Sequence, residues 1–347
     1  MAPTIDITVN TSTVIRILGL GFIGFILSML LTPIYTNMAY KWEWWKKPRS
    51  TTVTGEKAKM FSKLHAKKHE RHIPTMAGIV FVLAVTIVTI LLNLERSETW
   101  LPLAAFAGAG MIGLLDDIIN VRGSGAGVAG LPSKIKLLLT ILVASIGGWF
   151  FFFKLDVNSI HIPFVGEWTL GLLIIPLFIL VVVATANAVN ITDGLDGLAG
   201  GLTSIAFGVY AIISFLEGRY GLAGFCMTVV GCLLSYTWFN IFPARFFMGD
   251  VGSFALGTAL GVVAMLTDTV TLLPIIGLIF VVETGSVILQ ITSKKLRNGK
   301  KIFKVSPLHH HFEASGWPET KVTMRFWILG QVVAVIGLII FAVGGYF

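Results

Sequence analysis

Asn187, Asn190, Asp193 and Asp196 recur at every third position of the stretch NAVNITDGLDGLA (187–199), directly after the apolar run Leu170 to Ala186. Two carboxylates and two carboxamides so placed suit a cation, or an anion held through one. Neighbouring pairs share a helix face at this spacing. The outer members do not, because at about 100° per residue a straight helix turns Asn187 and Asp196 to opposite sides. Gly194 and Gly197 let the backbone unwind between them. A broken helix end at a membrane surface is therefore expected, with its acids aimed at a cation, since an unpaired charge in such a place is costly. An exposed loop that merely ends a helix is the plainer alternative.

Three further acids share this character. Asp116 and Asp117 close an apolar run, and Asp250 lies in FFMGDVGS (246–253). Carboxylates gathered in one place repel, and a shared proton or a divalent cation resolves the repulsion. Oxygen donors outnumber any cysteine or histidine set with ligand spacing, which favours Mg2+ over zinc. Mg2+ commonly joins one or two carboxylates to substrate phosphates, so phosphate chemistry is indicated. Gly249 and Gly252 flank Asp250 ahead of a helix expected from about Ser253, where backbone amides favour an anion. A plain inter-helix turn fits the same residues.

His309, His310 and His311 follow Ser306 and Pro307. Three consecutive side chains cannot all enter one metal site, so a role as hydrogen-bond donors or cations toward a diphosphate is expected. Glu283 and Gln290 are seven residues apart on one helix face, as a paired structural acid or a bending site would be. Thr75 heads an apolar run after Pro74 and fits a helix cap.

The elements that must carry these residues are membrane helices. Of 347 residues, 55% are hydrophobic and 13% charged, which is not the balance of a soluble domain. Runs near the roughly 20 residues that cross a bilayer fall at about 14–35, 74–93, 101–119, 137–153, 169–186, 198–216, 221–241, 253–267, 272–292 and 326–346. The fold expected is all-α and integral to the membrane: one polytopic domain over residues 1–347, with ten transmembrane helices. Met1 to Thr13 contains no Lys or Arg, so the first run reads as a retained span rather than a signal peptide. Pro274, Gly277, Glu283 and Gly285 mark a bend in the ninth.

Basic residues orient the chain. Of the 26 Lys and Arg residues, only Arg16, Arg96, Lys154 and Arg219 lie outside the segments 41–72, 120–136, 242–252 and 294–325. Basic loops remain in the cytoplasm, so both termini are expected outside. Asp116, Asp117, Asp193, Asp196 and Asp250 all sort to the cytoplasmic edge. Glu95, Glu98, Asp156, Glu167, Glu217 and Asp268 scatter over the outer face without a motif. The net charge of +8 suits anionic headgroups and substrates; without a stacking platform or recognition module, nucleic acid is not an expected partner. Trp42, Trp44 and Trp45 fit an interface belt, residues 158–168 fit a short hairpin, and Cys226 and Cys232 fit apolar filling.

This set of residues resembles the polyprenyl-phosphate N-acetylhexosamine-1-phosphate transferases, and most closely the phospho-N-acetylmuramoyl-pentapeptide transferases of bacterial cell-wall synthesis. The resemblance runs from about Pro74 to Trp327. It is carried by Asp116-Asp117, NAVNITDGLDGLAGG (187–201), WFNIFPARFFMGDVGS (238–253), ETGSVILQ (283–290) and SPLHHHFEASGWPE (306–319). It implies a multi-pass enzyme of the bacterial plasma membrane with a cleft open to the cytoplasm. The implied reaction moves phospho-N-acetylmuramoyl-pentapeptide from UDP-MurNAc-pentapeptide to undecaprenyl phosphate, giving lipid I and UMP with Mg2+ as cofactor. A homodimer, and a lateral path for the polyprenyl chain from the lipid, are implied as well.

Motif by motif, the resemblance makes Asp250 and Asp193 the metal ligands and gives Asp116 and Asp117 the base and lipid-phosphate side. Asn187, Asn190, Asp196 and Phe247 match nucleoside-binding positions, with Phe247 as a stacking surface. His309, His310 and His311 face the diphosphate, His310 within the catalytic set, while Thr75 and Lys136 join the substrate-binding residues. Two positions depart from the family: Glu70 stands where a lysine is usual, and Asn120 where a basic residue is frequent. A relative using UDP-GlcNAc is the nearest alternative. A cation- or proton-coupled transporter is disfavoured because, Glu283 and Gln290 apart, the spans are mostly apolar.

Overall fold

The computed structural model describes residues 10–45, 72–123 and 130–346. The basic segment 46–71, with Lys68, Glu70 and Arg71, lies outside the described residues. Each of the ten apolar runs is helical. The helices are α1 (Thr11–Lys41), α2 (Gly78–Leu92), α3 (Trp100–Arg122), α4 (Ser133–Phe153), α5 (Ile174–Thr192), α6 (Leu198–Leu216), α7 (Tyr220–Asn240), α8 (Gly249–Leu266), α9 (Leu273–Ile276), α10 (Leu278–Leu296), α11 (Leu308–Ala314) and α12 (Glu319–Val343). Among the described residues, eight of these segments are long and apolar enough to cross a membrane. The two remaining runs fall short for visible reasons: α2 has 15 residues, and α10 carries Glu283, Gln290, Lys294 and Lys295.

Local chemistry sets the boundaries. Asn10 caps α1, its side chain accepting from the Ser12 amide at 3.1 Å. The ninth run breaks at Gly277, which ends α9 and begins α10. The 187–199 stretch is a helix end as expected: α5 stops at Thr192, and α6 begins after Gly197, whose φ of 77° is left-handed. Two expectations are corrected. Helix α8 starts at Gly249, not Ser253, so Asp250 lies in its first turn. Thr75 does not cap α2, which begins three residues later. Instead the 74–78 segment pairs with the approach to α8: the Phe247 amide donates to Pro74 (2.8 Å), Ala77 to Phe247 (3.0 Å) and Gly78 to Met248 (2.9 Å).

The fold is not wholly helical. Strands β1 (Ser159–Ile162) and β2 (Gly166–Thr169) form the expected hairpin, pairing Ser159 with Thr169 and Ile162 with Gly166. It is tied down by groups that form no motif in the sequence. The His161 amide donates to Asp268 at 2.9 Å, Thr271 donates to the His161 carbonyl at 3.0 Å, and Phe164 donates to Gly344 at 2.9 Å. Elsewhere, Glu98 accepts from the Leu222 amide at 3.0 Å.

Small residues let the helix backbones close up, the usual basis of helix association in lipid. At the crossing of α1 and α7, Gly21, Gly24 and Ser28 meet Met227, Thr228, Gly231 and Cys232; a Cβ on Gly231 would run into the Gly21 carbonyl. Both cysteines are buried and form no disulfide, Cys232 lying at this crossing. Helix α8 is the hub, with 94% of its apolar window inside the protein. Gly113 of α3 abuts the Asp250 carbonyl, Gly78 abuts Gly252, and Gly257 lies on Ala186 of α5. These contacts deliver Asp250 to the ends of α3 and α5.

Replacing Gly231 with Leu should overpack the α1–α7 crossing and cost about 1–3 kcal/mol. In a thermal ramp of detergent-purified protein, Gly231→Leu is expected to melt well below wild type, whereas Gly19→Leu, where a Cβ meets nothing within 4 Å, should melt with it.

Candidate active site

The end of α3 carries Asp116 and Asp117, 3% and 0% exposed, and the first turn of α8 carries Asp250. Their carboxylate oxygens lie within 4.8 Å of one another. Three such groups need compensating charge and hydrogen bonds, and each has them. The Lys136 ammonium of α4 pairs with Asp116 at 3.0 Å and also with Asp250. The Leu131 amide donates to Asp116 at 2.6 Å. The Val251 amide donates to Asp117 at 3.0 Å, which places that carboxylate at the positive end of α8. Asn190, from the last turn of α5, donates to Asp250 at 3.1 Å and to the Ser253 hydroxyl at 2.8 Å.

Gly249 makes this convergence possible. Its φ is 74°, and a Cβ there would collide with the Asp117 carboxylate. Lys136 also lies over the Phe254 ring, 5.3 Å from its centroid. The donors are hard oxygens in a compact group, which fits a small divalent cation. Asp116 and Asp117 join Asp250, one of the two metal ligands expected, in this trio; the other, Asp193, is the C-cap of α5, its amide bonded to the Val189 and Asn190 carbonyls.

The histidine triplet splits three ways, as its consecutive spacing requires. His309 is fully buried; its Nδ1 lies 2.8 Å from Glu283 and its amide donates to the same carboxylate at 3.1 Å. Its Nε2 packs on Gly194, so the triplet meets the 187–199 stretch directly. His310 Nδ1 lies 2.7 Å from Glu313. Burial pushes the His310 imidazole down to about 4, against the raising effect of Glu313, so His310 is neutral at pH 7. His311 Nδ1 accepts from the Lys304 amide at 3.1 Å. Gln290, one helix stripe along from Glu283, accepts from the Ile302 and Phe303 amides at 3.0 Å and donates to the Phe303 carbonyl at 2.9 Å. Glu283 and Gln290 thus hold the histidine loop.

Other expected site residues also make structural contacts. Asp196 is 2% exposed; it accepts from the Ala244 amide at 2.9 Å, while its own amide donates to Glu319 at 2.7 Å. Asn187 donates back to Val183 of its own helix at 2.8 Å. Phe247 is half-buried and holds Pro74 and Ala77 through its backbone. Thr75 is buried, its carbonyl accepting from Tyr35 at 2.5 Å. Asn120, the departure noted above, is buried one turn beyond Asp116. Sequence reasoning missed Ser253, Glu313 and Glu319. Glu313 was findable, because it follows His310 by three on one helix face; the other two act across elements.

Glycosyl transferase family 4 matches residues 99–268, a stretch that holds the whole acidic cluster. A phospho-N-acetylmuramoyl-pentapeptide-transferase of Thermodesulfovibrio yellowstonii is 40% identical over 298 residues, covering 80% of this chain and 81% of its own. One of Clostridium novyi is 39% identical over 320 residues, 91% of this chain and 94% of its own. One of Bacillus pumilus is 41% identical over 322 residues, covering 91% and 95%. Similarity of this extent spans the acidic cluster, the 187–199 helix end and the helices that position them, and the chain therefore belongs to the phospho-N-acetylmuramoyl-pentapeptide-transferase family.

Proposed function

We propose that the protein transfers phospho-N-acetylmuramoyl-pentapeptide from UDP-MurNAc-pentapeptide to undecaprenyl phosphate, forming lipid I and releasing UMP. The single observation that carries this reading is the convergence of Asp116, Asp117 and Asp250 with Lys136 at the mouth of the bundle. Ten spans, outside termini and a reaction at the cytoplasmic face of the bacterial plasma membrane complete the reading; the one-sided distribution of Lys and Arg supports them.

The nucleophile is a phosphate monoester oxygen with a second pKa near 6, mostly dianionic at neutral pH. A strong base is therefore not needed. The difficulty is to bring two anions together. Asp116 orients the lipid phosphate, whose oxygen attacks the sugar-bearing phosphorus in line. The bond from that phosphorus to the bridging oxygen breaks, and UMP leaves with the electron pair. Asp117, Asp250 and Asp116 would hold Mg2+, which would supply charge neutralisation on the diphosphate and the departing UMP. Lys136 contributes a fixed positive charge to the same place. Asn190 keeps Asp250 in position, Asp193 and Asn187 line the nucleotide side, and Phe247 offers a face for the uracil. Neutral His310 presents a ring nitrogen toward the diphosphate, backed by Glu313, while His309 is held between Glu283 and Gly194 and positions the loop.

UMP release by purified protein is expected only when UDP-MurNAc-pentapeptide, undecaprenyl phosphate and Mg2+ are all present, and Asp250→Asn should lower it by about a hundredfold or more. Release from UDP-GlcNAc instead would move the protein to the sister group, and a phosphosugar trapped on any aspartate would refute direct attack. A second expectation concerns pH. The folded protein binds a proton at His310 only near 4, whereas the unfolded chain does so at 6.5. Stability from this site is complete above about 6.5 and is lost as pH falls toward about 4. Thermal unfolding at pH 7 and pH 5 should accordingly show a smaller acid-induced loss in His310→Gln than in wild type.

A further inference from the structure

The turn between α5 and α6 leaves backbone groups outside both helices, and buried groups of this kind need partners. All four backbone polar groups of Asp196 and Gly197 find them in other elements. The Asp196 amide donates to Glu319 at 2.7 Å, and the Asp196 carbonyl accepts from the Thr323 hydroxyl at 3.2 Å. The Gly197 amide donates to Asn240 at 2.9 Å, and its carbonyl accepts from the Trp327 indole at 3.2 Å. Three of these partners, Glu319, Thr323 and Trp327, recur at every fourth residue of α12 and form one stripe of that helix.

Shape supports the same grip. A Cβ on Gly197 would sit 3.3 Å from the Trp327 ring, and one on Gly201 would run into it, so the two glycines form a socket for the indole. Thr323 is buried, so solvent does not make up for a lost hydroxyl. The other end of the turn is held from the same part of the chain. His309 packs on Gly194. Its helix, α11, is fixed to α12 by Phe312, which stacks on Trp317 at 4.8 Å and meets Phe326 edge-on at 6.0 Å. As one frame, α11 and α12 grip residues 194–197 at both ends. The acidic trio is held by other elements, through Lys136, Leu131, Val251 and Asn190.

We infer that Thr323 and Trp327 are positioning residues for the sugar nucleotide: they set the shape of the 193–197 turn, and with it the affinity for the nucleotide end of the donor. Glu319 supplies the third point of the grip. The inference rests on the transferase reading, in which Asp193 and Asn187 line the nucleotide side, and deepens it by giving the last helix a part in donor binding. Neither residue has to touch the donor, because each acts through the backbone of the turn. Small displacements of groups that position a substrate are costly. The cost falls on the donor, since the acceptor phosphate is oriented from the acidic trio.

The test separates the hydroxyl from the fold. Thr323→Val keeps the outline of the side chain and removes its donor, whereas Thr323→Ser keeps the donor. In Thr323→Val and, separately, in Trp327→Phe, the KM for UDP-MurNAc-pentapeptide and the inhibition constant for UMP should both rise about fivefold or more. The KM for undecaprenyl phosphate should stay within about twofold. Thr323→Ser should remain within about twofold of wild type in all three quantities. Equal rises for donor and acceptor, an unchanged UMP constant, or a Thr323→Ser variant as impaired as Thr323→Val overturns the assignment. A donor effect that merely follows the melting temperature across the variants also overturns it, as a brace of the fold alone. Wild type that releases no UMP from UDP-MurNAc-pentapeptide and undecaprenyl phosphate overturns the transferase reading itself, and the positioning role with it.

Discussion

Like-charge repulsion is the constraint around which this protein is built. Three carboxylates whose oxygens approach within 4.8 Å repel by roughly 3 kcal/mol per pair at an effective dielectric of about 20. Burial of Asp116 and Asp117 makes that cost harder to escape. The fold answers it three times over: with the Lys136 ammonium, with backbone amides of Leu131 and Val251, and with the positive end of α8. None of these could reach the acids if the backbones stood at ordinary helix spacing. Gly113, Gly78 and Gly249 remove the side chains that would keep α2, α3 and α8 apart. Charge compensation and close packing are therefore one requirement, met by the same few residues.

The opposite wall is organised by a second set of buried polar contacts. Glu283 and Gln290 project from one stripe of α10 and hold, respectively, His309 and the 302–303 backbone. A carboxylate within a membrane helix is expensive unless partnered, and here the partner is the histidine loop. Asp196 links α6, the 243–245 turn and α12 in the same manner. The break at Gly277 separates α9 from the stripe-bearing helix α10. The histidines thus reach Gly194 on a frame that is anchored by hydrogen bonds rather than by apolar packing alone.

Much of this was legible in the sequence because each signal was local. Apolar runs near bilayer length located the helices, the 187–199 spacing located the broken helix end, and proline with glycine located the break at Gly277. Asp116, Asp117 and Asp250 were recognisable as a charge problem that a dication solves. What stayed hidden required knowledge of which elements touch. Lys136 was readable as a substrate-binding cation, yet its pairing with two acids depends on α4 lying against α3 and α8. Asp193 follows the same three-residue rhythm as Asn190, but α5 ends between them, so that Asp193 is the C-cap and has left the helical path that places Asn190. Asp196 carries a motif position and also bonds the Ala244 amide and Glu319, contacts far along the chain that no local pattern could reveal.

The acidic trio offers the compact set of hard oxygen donors that suits a divalent ion. Anomalous diffraction from crystals of the full-length protein soaked in Mn2+ addresses this directly. One difference peak is expected at ligand distance from Asp117 and Asp250, abolished in Asp250→Asn crystals of otherwise unchanged structure. A peak bound by Asp193 without Asp250, or full occupancy in the variant, would contradict it.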